Sequence, residues 1–322
     1  MGHTILGAGG SIGNALAYEL IKMNEQIRLV SRSGYSITGT KSVKADLTSY
    51  YDTFNSIREN DIVYLCAGLP FDTKIWSENW PSIIQNAIEV CKNKRAKLVY
   101  FDNTLIYGKV DGAMTEDTPY NPCSKKGEIK ETIIRLIERE TRDGNLQAIV
   151  ARAADFYGPY SFDSSSLHRM VFNNILSGKK AQWLVEPNNY HSFSYTIDCA
   201  RGMIMLAKQD KCYSQTWHLP TDEPLSGETY IHMVSNILGI EPDYETTDKS
   251  VLKFRSVFNK EVAELIEVLY KFEESHHFDS SKFNSYFNYT PVSYYNGIIE
   301  TIEFLKNYNS VNIDCYAFVN MQ

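Results

Sequence analysis

The run Gly7-Ala8-Gly9-Gly10-Ser11-Ile12-Gly13 limits what this chain can fold into more than any other part of it. It follows the apolar stretch His3 to Leu6 and opens the segment Ser11 to Met23, where Ile12, Leu16 and Leu20 recur at helical spacing. A strand that turns through glycines into a helix is the setting of a phosphate-binding turn. Gly7 permits the tight turn, Gly10 lets a pyrophosphate approach the backbone, and Gly13 lets the helix pack closely on the sheet. Ser11 and Ile12 lie in the first helical turn, where free N–H groups and the positive dipole end face an anion.

Strand-like and helix-like segments alternate through the first half, as in a parallel sheet covered on both faces. His3 to Leu6, Ile27 to Val30, Ser42 to Ala45, Ile62 to Cys66, Leu98 to Phe101 and Leu146 to Ala151 read as strands. Trp80 to Lys92 and Ser124 to Thr141 carry apolar residues at helical spacing. The predicted fold is α/β, a doubly wound parallel-sheet Rossmann fold with a smaller C-terminal substrate domain. The dinucleotide-binding part spans 1–157 and is completed by about 190–217, leaving 158–189 and 218–322 as the cap. Beyond about Tyr157, Leu167 to Leu176, Asp198 to Ala207, Gly227 to Leu238 and Val292 to Lys306 are expected to be helical.

Composition narrows the function classes. A net charge of -7 over 322 residues, with no long basic block, argues against a nucleic-acid partner. No apolar run reaches membrane-spanning length and the first residues lack a basic leader, so neither a membrane partner nor secretion is expected. The six cysteines (Cys66, Cys91, Cys123, Cys199, Cys212 and Cys315) show no CxxC spacing, which fits a reducing cytoplasmic setting without a zinc site. His168, His276 and His277 likewise lack metal-ligand spacing, so no metal is expected.

An acid that holds a ribose 2′-hydroxyl is expected about 20 residues past the glycines. Here the chain has Ser31-Arg32-Ser33. Arg32 offers a charge-assisted fork to a 2′-phosphate and the two serines add hydroxyls, so NADP fits better than NAD, with NAD as the alternative.

The glycine spacing, then Ala45-Asp46-Leu47, Cys66-Ala67-Gly68, Ile106-Tyr107-Gly108, Arg152 to Pro159 (Arg-Ala-Ala-Asp-Phe-Tyr-Gly-Pro), Tyr195 to Asp198 and Trp217-His218-Leu219 together resemble the extended short-chain dehydrogenase/reductases. The resemblance is to the NAD(P)-dependent epimerase/dehydratase branch and covers most of the chain. It implies that Asp46 and Leu47 lie by the adenine, that Ala67 and Gly68 lie along the cofactor, and that dimers are frequent.

At the reacting end the chain departs from that family. There a Ser or Thr precedes the Tyr-Gly pair, and a Tyr and a Lys four apart share a helix face. Here Lys126 holds the tyrosine position and Lys130 the lysine position. Asn103 falls at the hydroxyl position, with Thr104 beside it as the substitute. Lys130 is expected to bond the nicotinamide ribose. Lys126, one turn before it, is expected to be a depressed-pKa amine acting as the acid/base group, since two close ammonium groups disfavour each other's charge. The competing expectation is that Lys126 points to solvent.

Tyr107 and Tyr157 flank the substrate cleft that the resemblance implies, although among 22 tyrosines a structural role is the plainer expectation. His191 stands where nucleotide-sugar enzymes of the family often have a diphosphate-binding arginine. Cys123 is expected to pack. Two functions stay open: an oxidoreductase or epimerase-like enzyme acting on a small carbonyl or hydroxyl substrate, and a non-catalytic NADP-binding sensor.

Overall fold

The computed structural model describes residues 2–319; Met1 and the side chain of Cys315, both considered above, lie outside what it describes. Seven parallel strands form one sheet in the order Gln215–His218, Ala148–Arg152, Lys97–Asp102, Ile62–Leu65, His3–Leu6, Ile27–Ser31, Lys41–Lys44. The central strands are buried on both faces, as in a doubly covered parallel sheet, with His3 and Thr4 bonded to Tyr64 and Asp61. Leu6 pairs in register with Val30 on one side and Leu65 on the other, so the strand order reverses beside the first strand. That reversal opens a crevice at the carboxyl ends of the strands, where ligands of such sheets bind.

Helices cover both faces. Ser11–Lys22 and Thr196–Ala207 pack together on one core, with Leu16, Leu20, Met203 and Ile204 buried. Thr73–Lys94 and Lys125–Arg142 pack on the other through Ile83, Ile88, Ile133 and Ile137. Each such side chain contributes about 1.5–3 kcal/mol when fully buried.

Several boundaries differ from the sequence reading. The helix expected from Trp80 begins at Thr73, capped by the Asp72 carboxylate accepting from Ile75 N–H, and carries Pro81 inside it. Leu167 to Leu176 is a π-helical segment, His168–Phe172, running into Asn173–Leu176. The final helix is Tyr294–Val319, longer than Val292 to Lys306. Short helices at Lys249–Ser256 and Lys260–Ile266 carry no strong periodic signal and went unread. Two-residue strands such as Ala113–Met114 with His277–Phe278 are too short for any alternation to register.

Candidate cofactor and active site

The glycine turn is made by backbone. Gly7 has φ +101°, and its N–H and that of Ala8 both reach Val30 C=O at 3.0 Å. A Cβ at Gly7 would lie 2.5 Å from the Ala67 backbone, and one at Gly13 would lie 2.6 Å from Gly7 C=O. Both positions therefore exclude any larger side chain. Gly9, also at positive φ (+89°), turns its N–H onto the Asn14 side-chain oxygen at 3.1 Å. The sequence reading assigned no role to Gly9 or Asn14; the helical position of Asn14, one turn past Gly10, was the only available hint. The exposed Gly10 caps the helix Ser11–Lys22, whose first N–H groups, at Ser11, Ile12 and Gly13, have no intrahelical acceptor. Ser11 Oγ meets Ser164 Oγ at 2.6 Å.

At the ribose end, Ser31 closes its own turn: its Oγ accepts the Tyr35 N–H at 2.8 Å. That lone pair is used within the loop, which leaves the hydroxyl its own O–H to donate. Arg32 and Ser33 are exposed. Asp46 accepts from Thr48 N–H and Oγ1, and these bonds, followed by the Arg32 charge and against a little burial, hold its carboxyl below the usual range. Leu47 is buried, its carbonyl accepting from the Asn86 side-chain amide at 3.0 Å. Ala67 is half-buried and Gly68 exposed, with open space around it.

The other end of the crevice is made by side chains. Ser124 caps the helix Lys125–Arg142 by accepting from Gly127 N–H at 3.0 Å. Lys126 is fully buried. Its Nζ donates to Glu264 and Glu267 and, at 2.9 Å, to Thr73 Oγ1, and sits 4.3 Å from the Phe71 ring centroid. Partial burial alone would raise Glu264, but the bonds from Lys126 and Thr73 hold it below the usual carboxylate range. Neither expectation for Lys126, a free amine at the cofactor or a solvated side chain, survives this cluster. Two carboxylates from the helix Lys260–Ile266 and the residue just past it have claimed the ammonium.

Lys130 diverges from it. Its Nζ donates to Tyr100 OH at 2.6 Å and stands 3.4 Å from Asp102 Oδ1, boxed by the rings of Trp80 and Tyr100. Burial pushes this lysine below its ordinary range, against the pull of Asp102 and with the help of Arg152. The depression has causes other than Lys126, contrary to the sequence argument.

Thr104 is buried, its hydroxyl 3.1 Å from His276 Nε2, while Asn103 accepts from Leu105 N–H at 3.2 Å and stays half-exposed. Tyr107, expected at the cleft, is fully buried between Arg152 Nη1 (2.5 Å) and His218 Nε2 (2.7 Å); burial raises its phenol to about 12. Tyr157 is fully buried too, packed on Tyr195, Tyr294 and Gly297. His191 bonds Asp155 Oδ2 (3.1 Å) and Lys271 C=O (3.2 Å), and stacks between Phe272 and His276. Tyr107, Tyr157 and His191 are thus all engaged in contacts within the fold. Cys123, expected to pack, is exposed at a groove of about 400 Å³ lined by Thr73, Ser124, Glu128, Glu264 and Glu267.

Residues 3–216 match the model of the NAD dependent epimerase/dehydratase family. Among curated proteins, an uncharacterized UDP-glucose epimerase of Bacillus subtilis (strain 168) is 21% identical over 271 residues, covering 76% of this chain and 84% of that one. Among solved structures, a dTDP-glucose 4,6-dehydratase double mutant from Streptomyces venezuelae, with NAD bound, superposes with a TM-score of 0.79 at 16% identity, covering 95% of this chain and 97% of that one. The UDP-glucuronic acid 4-epimerase from Bacillus cereus, in complex with UDP-glucuronic acid and NAD, gives 0.79 at 20% identity, covering 95% and 99%. Both likenesses are of fold.

Proposed function

The chain belongs to the NAD-dependent epimerase/dehydratase family, and from that premise we propose that it is an NAD(P)-dependent oxidoreductase acting on a small hydroxyl or carbonyl compound. The observation that carries this reading is the backbone cradle at Gly7 and Gly13, where a Cβ would meet main-chain atoms at 2.5 and 2.6 Å. A turn shaped that tightly at the strand-order reversal fits a pyrophosphate on the free N–H groups of Ser11, Ile12 and Gly13. Arg32, exposed at the ribose end with no acid at positions 31 to 33, supports NADP over NAD, although the solved relatives above hold NAD. When bound, the dinucleotide supplies a hydride donor or acceptor. Lys130 holds the lysine position of the family pattern, which supports a role in holding the nicotinamide end. His191, buried and bonded to Asp155, offers no exposed cation of its own to a diphosphate, unlike the arginine that nucleotide-sugar enzymes of the family often have at that position.

A second reading is favoured by one observation: Lys126 is bound to two carboxylates, so the proton relay of the family has no free group at that position. On that reading the protein binds the dinucleotide without turning it over. Titration with NADPH and NADH, followed by absorbance assays against separate panels of small carbonyl compounds and of nucleotide sugars, tests both. NADPH binding with turnover of a small carbonyl supports the oxidoreductase. Binding without turnover on either panel selects the second reading, and failure to bind either dinucleotide sinks both.

A further inference from the structure

The segment from Lys249 to Lys260 contains four cations and no carboxylate, in a chain of net charge -7. Val257 and Phe258 prolong the last turn of its helix Lys249–Ser256, since Phe258 and Asn259 N–H both reach Arg255 C=O. Only Leu252 faces inward, at 4% exposure. Val251, Phe254, Val257 and Phe258 face outward, exposed by 40%, 70%, 75% and 80%. At 3.6 residues per turn these four fall within an arc of about 120°. Lys253 and Arg255 stand on the two borders of that arc.

The cations divide by role. Lys249 pairs with Glu273 and Lys260 with Asp72, which ties both ends of the segment to the body of the protein. Lys253 and Arg255 are exposed and take part in no ion pair among the described residues. Four large apolar side chains held out to water, with a free cation on either border, is the arrangement of an element that lies in a lipid interface. The rings enter the headgroup boundary while the long cationic stems reach back to the phosphates. No helix among the described residues is long and apolar enough to cross a membrane, so the segment would rest on the surface. A second copy of the chain fits less well, because face-to-face packing of two such patches sets Lys253 and Arg255 against their own counterparts.

We propose that the face formed by Val251, Phe254, Val257 and Phe258, bordered by Lys253 and Arg255, docks this protein on an anionic lipid bilayer. The test is flotation of the full chain with vesicles of phosphatidylcholine alone and of phosphatidylcholine mixed with phosphatidylglycerol. Association with the mixed vesicles only, weakening as salt rises, is the expected result. Lys253→Ser and Arg255→Ser should each weaken it about fivefold. Phe254→Ser with Phe258→Ser should weaken it by at least about tenfold through lost apolar burial, with melting temperature and circular dichroism unchanged. Binding to neither vesicle, equal binding to both, or a concentration-dependent dimer that the paired Phe substitutions abolish overturns the proposal.

Discussion

At the glycine turn almost nothing depends on side chains: Gly7 and Gly13 are defined by what they lack, and the groups facing the crevice are main-chain N–H donors. At the start of the helix Lys125–Arg142 nearly everything does. Lys126 and Lys130 have identical long amines four residues apart, yet one ends among Thr73, Glu264 and Glu267 and the other against Tyr100 and Asp102. A site made of backbone persists wherever the chain keeps its path. A site made of side chains can be reassigned by a single carboxylate arriving from elsewhere, and here two have arrived. On the proposed reading, the contrast explains how a chain can keep a dinucleotide turn while the group four residues before Lys130 is taken up by carboxylates.

The strongest way to break the contrast is Lys126→Met. With the cation removed, Glu264 and Glu267 face each other and Thr73 without compensation, so unfolding should cost about 3–5 kcal/mol less, measured by denaturant titration. Adding Glu264→Gln and Glu267→Gln should recover most of that loss; a Lys126→Met variant as stable as the parent would show the cluster to be worth little. Gly7→Ala attacks the other region. A side chain at φ +101° against the Ala67 backbone should cost about 3 kcal/mol and abolish dinucleotide binding, read by melting temperature and calorimetry. Retained NADPH affinity in a folded Gly7→Ala protein would remove the cradle argument.

Arg32→Ala sharpens the comparison within the phosphate end. It should remove on the order of 1.5–3 kcal/mol of preference for NADPH over NADH, with NADH affinity unchanged in parallel titrations. Acid should act on the reacting end. Burial, aided by the Arg152 charge, lowers His218 to about 3, so the ring is neutral in the folded state; Nδ1–H donates to Asp279 C=O at 2.6 Å, which leaves Nε2 to accept from Tyr107 OH. The unfolded chain takes up this proton first. Stability from this group is therefore full above the ordinary value of 6.5 and falls as pH drops from there toward 3. The loss by pH 5 is roughly 2 kcal/mol, and His218→Asn should flatten that part of a stability-against-pH curve.

The sequence revealed different things in the two regions because their determinants have different reach. Gly7, Gly10 and Gly13 sit within one turn of each other, and strand, turn and helix announce themselves by local periodicity. The same locality recovered most of the central strands to within two residues. The partners of Lys126 lie at Glu264 and Glu267, and those of Tyr107 at Arg152 and His218; no window around either residue contains them. The partners of His191 were out of reach for the same reason, since Asp155 and Lys271 come from separate segments. The start of the helix Thr73–Lys94 was missed because Pro81 resembles an opening residue, whereas Asp72 does the capping well before the proline's own turn. Gly9 was simply the wrong glycine to overlook: its neighbours drew the argument, and its positive φ leaves no mark in a motif read by spacing.

The seventh strand, Gln215–His218, and the carboxylates of Glu264 and Glu267 all follow far behind the residues they complete. A ribosome delivers Lys126 well before either carboxylate that will neutralise it, and leaves the strand Ala148–Arg152 with an open edge until residue 218 has emerged. The nascent chain thus passes through a stage in which its phosphate end can close while its reacting end is both unpaired in charge and unpaired in strand. A message stalled or truncated before residue 260 would yield a polypeptide with a nearly finished cofactor turn and an unsatisfied ammonium at the heart of the same half, a species suited to degradation rather than to independent work.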